Sequence, residues 1–253
     1  MANRRRGRGS ARNHCKVGRE VQIKNLVDFD NSVKRTSVKR TLPPLNNRQV
    51  FEPYDAEDKV NTLTRALGLS GEADELIEVY FEGHTLKNLS PRAVDESGDL
   101  LFYCSALADA YMVSLPTCIE YYCNDNMDRF KTFGNPLLRS GAVEFVVVET
   151  LGWLYGGGTP FNKPPAIQGP FYSCYEFARD LRRLVKPLTE LVKKIEGHGH
   201  PKDAKAVAIK IGEITLFLAS AAPLGPICQS NHDKLLKRYP NGFNTNDSMN
   251  RKD

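Results

Sequence analysis

The chain has 253 residues, 41% hydrophobic and 26% charged, an ordinary globular balance with enough length for one large or two small domains. Its net charge of +5 is uneven: residues 1–50 hold thirteen Lys/Arg against three Asp/Glu, so a basic arm precedes a body carrying −5. No apolar run reaches the roughly 18 residues of a membrane helix, no apolar signal-peptide core opens the chain, and six cysteines without a C-x-x-C pair predict buried, reduced thiols in the cytoplasm.

In chain order, residues 1–19 (Arg4-Arg5-Arg6-Gly7-Arg8 onward) have almost no large apolar side chains, which predicts disorder. A solvated tail is the plain reading, and contact with nucleic acid or another polyanion is the alternative. Residues 20–50 read as an extended linking segment. Helical patterning begins after Pro53, with Val60, Leu63 and Leu67 on one face of a first helix that Gly68 is expected to break. A second helix covers 72–81 and stops at Gly83, a third covers about 92–111, and Ser114-Leu115-Pro116 opens a fourth over 117–131.

Two acidic pairs stand out on the second and third of these helices, Glu72 with Glu75 and Glu96 with Asp99. Residues three apart share a helix face, so each pair aims two carboxylates one way. Such pairs are common on solvated faces, but both here border apolar stripes, Leu76-Ile77 and Leu100-Leu101-Phe102. If the helices pack antiparallel, the four carboxylates converge and require a counter-charge. A hard divalent cation, Mg²⁺ above all, takes oxygen ligands and supplies it.

Residues 134–172, with Gly156-Gly157-Gly158, Pro164-Pro165 and Gly169-Pro170, read as a long loop. Within it, 142–155 fits a buried helix or a strand equally. The helical pattern then returns as a repeat. Glu82-Gly83-His84 recurs as Glu196-Gly197-His198, and Gly98-Asp99 as Gly212-Glu213, both at a shift of 114. Cys123, Asn126, Asp128 and Arg129 recur as Cys228, Asn231, Asp233 and Lys234 at a shift of 105. The reading is two tandem copies of one helical unit, with His84 and His198 at equivalent turns. The boundaries are a 1–50 arm, a first copy at 51–135, a linker or insertion at 136–171, and a second copy with tail at 172–253. In the second copy Lys186, Thr189 and Lys210 stand where the first has Glu72, Glu75 and Glu96, so it is expected to bind no metal.

Glu72-x-x-Glu75 followed by Glu96-x-x-Asp99, together with Asn231-x-x-Lys234-Leu235-x-x-Arg238-Tyr239-Pro240, resembles the MazG-like, all-α nucleoside triphosphate pyrophosphohydrolases. The motifs lie farther apart than one compact domain of that family needs. The resemblance implies an all-α bundle of two fused copies, one live and one degenerate, with further homo-oligomerisation open. It implies Mg²⁺ (or Mn²⁺) on Glu72, Glu75, Glu96 and Asp99, with Glu75 as the base. It also implies cleavage of a (deoxy)nucleoside triphosphate to monophosphate and pyrophosphate. Lys234 and Arg238, or Arg129 and Lys131, would hold phosphates. Tyr103 and Asn126 would face sugar or base, although a bundle-rim tyrosine and an interhelical asparagine fit as well, and Asn231 completes the late motif. A di-iron bundle is discounted because no His stands three residues after Glu72 or Glu96. The competing class is a non-catalytic nucleotide- or nucleic-acid-binding protein working through the arm.

Overall fold

A computed structural model describes residues 22–36, 56–133 and 173–239, and among these there are seven α-helices and no strand. They are α1 (Leu26–Thr36), α2 (Ala56–Phe81), α3 (Pro91–Ala110), α4 (Leu115–Phe133), α5 (Cys174–Val192), α6 (Ala204–Ala221) and α7 (Leu224–Arg238). The expectation of an all-α protein holds for the described residues. No single helix among the described residues is long and apolar enough to cross a membrane. The arm over 1–19, the undecided stretch 142–155 and the glycine triplet lie outside the described residues.

Local chemistry accounts for most helix ends. After α2 the chain turns at Gly83, whose φ of 89° suits a residue without Cβ, and His84 N–H reaches back to the Val79 carbonyl at 3.1 Å. His84 then pairs its ring with the Ser90 hydroxyl at 3.0 Å, in keeping with its assignment to the turn. Pro91 opens α3 where its missing N–H is harmless. Ser173 and Glu176 form a reciprocal capping box at α5, and Asp203 accepts from Ala206 N–H at 2.8 Å to start α6.

The helices share one core. α2 packs on α3 and α5, α4 on α6, α3 on α7, and α5 on α6. Aromatic rings join three of them: Tyr80 stacks on Phe177 with centroids 3.7 Å apart, and Phe177 meets Phe217 at 5.2 Å. Cys104, Cys118, Cys123 and Cys228 are buried free thiols, and burial pushes all four above the ordinary thiol value.

Two expectations fail here. The first is the break at Gly68: α2 runs unbroken for 26 residues. A Cβ at Gly68 would lie 2.3 Å from Tyr103 Cε1, so this glycine is a notch that admits a ring from α3. Glycine inside a helix costs roughly 1 kcal/mol, and the ring packed against its backbone offsets it. The second is the extended reading of 20–50, because Leu26–Thr36 is a helix bound into the core. Leu26, Phe29 and Val33 are fully buried at the i, i+3, i+7 spacing, and Asn25 caps the helix by accepting from Asp28 N–H at 2.9 Å.

Asp30 fastens α1 to two neighbours. Its buried carboxylate accepts from the Ser105 hydroxyl at 2.6 Å and from Leu115 N–H at 2.8 Å. Burial pushes its pKa up to about 6, with those two hydrogen bonds opposing. Replacing the carboxylate by an amide leaves one carbonyl oxygen for two donors. Asp30→Asn is therefore expected to cost about 1–2 kcal/mol at neutral pH, read as a lower denaturation midpoint with unchanged slope.

Candidate metal centre

The acidic pairs sit side by side because α2 and α3 run antiparallel. Arg92 meets Glu82 near the turn, Tyr103 meets Gly68 farther on, and Arg65 donates to the Ala106 carbonyl at 2.9 Å. The contacts advance along one helix as they retreat along the other. This places Glu72 and Glu75, toward the C-terminal end of α2, opposite Glu96 and Asp99, toward the N-terminal end of α3. Carboxylate oxygens of Glu72, Glu75 and Glu96 all lie within 4.8 Å of one another. Glu75 is exposed, and Glu72 and Glu96 are half-buried.

Asp99 stands beside this triad but is engaged elsewhere. It accepts from Asn231 Nδ2 at 2.7 Å and from Lys234 Nζ at 2.5 Å, both on α7. Lys234 also reaches Asp95 at 2.8 Å, so one ammonium bridges two carboxylates of α3. The fourth ligand of the expected set is thus held by an internal cation. Gly98 permits the approach: a Cβ there would lie 2.8 Å from Asn231 Cβ and 3.2 Å from the Ile227 carbonyl.

The electrostatics follow from this crowding. Burial, then the charges of Asp99, Glu75 and Glu96, push the Glu72 carboxyl up to about 7. Glu96 is raised by burial and then by Asp99 and Glu75. Burial raises Asp99 too, against the hydrogen bond from Lys234. Burial works to lower Lys234, but its hydrogen bonds to Asp95 and Asp99 win and hold the ammonium above its ordinary value. A site whose acids resist ionisation in the absence of a cation gains most from one. The three carboxylates could hold a metal ion, and an oxygen-only donor set favours a hard cation such as Mg²⁺, Mn²⁺ or Ca²⁺.

A pH dependence follows. Glu72 rises from 4.5 to about 7 on folding, so the native state holds its proton more tightly than the unfolded chain. Stability from this group is present below pH 4.5 and is lost as pH rises through about 7. The metal-free protein is expected to lose about 1 kcal/mol from pH 6 to 8 after solvent screening. Millimolar Mg²⁺ should abolish that loss, and thermal melts in the two buffers check it. Asp30 acts in a lower window, from 3.8 to about 6.

The other expected site residues scatter. Arg238 is exposed, and its charge reaches Asp99. Tyr103 lies on the Gly68 notch and edge-on to Phe102, its ring centroid 5.4 Å away. Asn126 donates to the Tyr122 carbonyl of its own helix at 2.9 Å, and no hydrogen bond joins it to the triad. The side chains of Arg129 and Lys131 lie outside the described residues. Asp95 was not among the expected residues, although its spacing of four from Asp99 puts both on one face, the arrangement Lys234 uses.

No family model, no curated protein and no solved structure matches this chain.

Proposed function

We propose that the chain is a MazG-like, Mg²⁺-dependent nucleoside triphosphate pyrophosphohydrolase, cleaving between the α- and β-phosphates. The observation that carries the reading is the open triad of Glu72, Glu75 and Glu96 within 4.8 Å, flanked by the Asn231–Lys234 pair on Asp99. Glu72 and Glu96, with Asp99 on release from Lys234, would hold the metal. A divalent cation neutralises triphosphate oxygens and makes water more acidic. Glu75, the exposed member, would take the proton from the attacking water. Lys234, freed from Asp99, and Arg238 would hold the phosphates as a point charge and a planar fork.

The tandem-copy reading belongs to the same proposal. α2–α3–α4 and α5–α6–α7 would be the copies, each giving its last helix to the other. Gly98 of α3 receives α7, and Gly212 of α6 receives α4, where a Cβ would lie 2.2 Å from the Cys118 carbonyl. The five free thiols of the described residues accord with a reducing, cytosolic setting.

A panel of canonical and modified nucleoside triphosphates with Mg²⁺, scored for pyrophosphate release, tests this reading. Release by the wild type and not by Glu72→Gln supports it. Absence of release from every triphosphate, or equal release by the variant, removes it.

A further inference from the structure

A second set of polar groups lies on the opposite side of α7 from the carboxylates. Asn231 and Lys234 face α3, whereas His232 faces α1. Between α1 and α7 there is an open cleft of about 360 Å³, within the usual range for a small-molecule site. Its walls include Lys24, Asn31, Ser32, Arg35 and His232, with Asp28 as the one acid among the described residues that line it.

Three features separate it from a surface dimple. His232 is buried, being only 2% exposed, and its Nε2 has no hydrogen-bond partner among the described residues. Its Nδ1 is taken by the buried Ser32 hydroxyl at 2.5 Å, which fixes the ring. The Ser32 hydroxyl can donate to Nδ1, and in that tautomer Nε2 carries the proton and is a donor without an acceptor. Burial lowers the His232 pKa and the Arg35 charge adds to this, with Asp233 opposing, which favours the neutral imidazole. Buried donors are almost always satisfied, and an unsatisfied one points to something the protein atoms do not supply.

The second feature is charge. Lys24 and Arg35 both line the cleft and neither forms an ion pair among the described residues. Asp28, whose carboxylate accepts from Lys24 N–H at 3.0 Å, keeps its charge and offsets one of the two, so these three side chains leave a net positive charge. The third is anchorage. Ile23 N–H donates to Gln229 Oε1 of α7 at 2.7 Å, so the strip leading into α1 and the face of α7 are held in register. A guanidinium fork, an ammonium and an amide around one space, with the His232 ring in its wall, form a donor set suited to phosphate oxygens. An uncharged ligand would leave that net positive charge unmatched.

We propose that the α1–α7 cleft binds the phosphate group of a small metabolite, on Arg35, Lys24 and the Ser32–His232 pair, separately from the carboxylate triad. Titration calorimetry of the full chain with inorganic phosphate and with ribose 5-phosphate provides the test, with the His232 ring signals followed by NMR. Either probe should bind at millimolar concentration or below and shift the His232 signals. Arg35→Gln, an exposed change that keeps the fold, should weaken binding about tenfold or more. Arg182→Gln, at an exposed arginine paired with Asp74 on another face, should leave it unchanged. Arg238→Gln should also leave it unchanged, because that residue would hold phosphate only at the proposed catalytic site, and this separates the two. Failure of both probes to bind, or equal binding by Arg35→Gln, would overturn the proposal, whatever the outcome for nucleotide hydrolysis.

Discussion

Glu72→Gln and Glu96→Gln are each expected to lower pyrophosphate release from a nucleoside triphosphate by at least about a hundredfold. The magnitude follows from what each change removes. Loss of a residue that merely orients a ligand costs about 10–100-fold, and loss of the ligand itself costs more. Both substitutions keep shape and remove charge, and both residues have oxygens within 4.8 Å of the other two members of the triad. The same variants should fold as well as the wild type. Burial and mutual repulsion already hold both carboxyls above their ordinary values, so a neutral amide relieves strain. A folded protein with lost turnover is the expected pair of results. A variant that is inactive because it is unfolded would not support the assignment, and circular dichroism separates the two cases.

The largest effect on stability is expected at Gly212→Ala, a loss of about 3 kcal/mol or more. The new Cβ would lie 2.2 Å from the Cys118 carbonyl oxygen, 2.6 Å from its carbon and 3.0 Å from Ile119 Cα. These are backbone atoms of α4, so no rotamer change relieves the clash and the helix as a whole must shift. The broad α4–α6 contact is therefore lost with it. Gly98→Ala offers a contrast, because its neighbours are Asn231 Cβ at 2.8 Å and the Ile227 carbonyl at 3.2 Å. It should cost less, about 1–3 kcal/mol, but it pushes α7 away from Asp99. Gly98→Ala should then reduce turnover per folded molecule, whereas Gly212→Ala should not. Denaturant midpoints together with rates corrected for the folded fraction check both statements.

Much of this site was legible because its signal is local. Acids three apart on helices with adjacent apolar stripes report a shared face without knowledge of the fold, and the Gly83 stop places two such helices in one hairpin. What stayed hidden depends on distant partners. Gly68 reads as a break until the ring of Tyr103, one helix later, is seen filling its notch. Lys234 reaches Asp99 across a separation of 135 residues, and no spacing rule connects them. α1 failed for another reason: at 11 residues, between basic runs, its apolar face is only three side chains wide. Even so, Asn25 followed three residues later by Asp28 was a readable helix start.

Titration of Mn²⁺ into the protein, followed by electron paramagnetic resonance, puts the carboxylate cage to its most direct test. The wild type is expected to bind Mn²⁺ and Mg²⁺ to compete for it, while Glu72→Gln and Glu96→Gln weaken binding by about tenfold or more. Lys234→Met, which frees Asp99 and removes the competing ammonium, is expected to tighten it. Free-ion spectra at millimolar Mn²⁺, or equal binding by the wild type and both glutamine variants, would contradict the account.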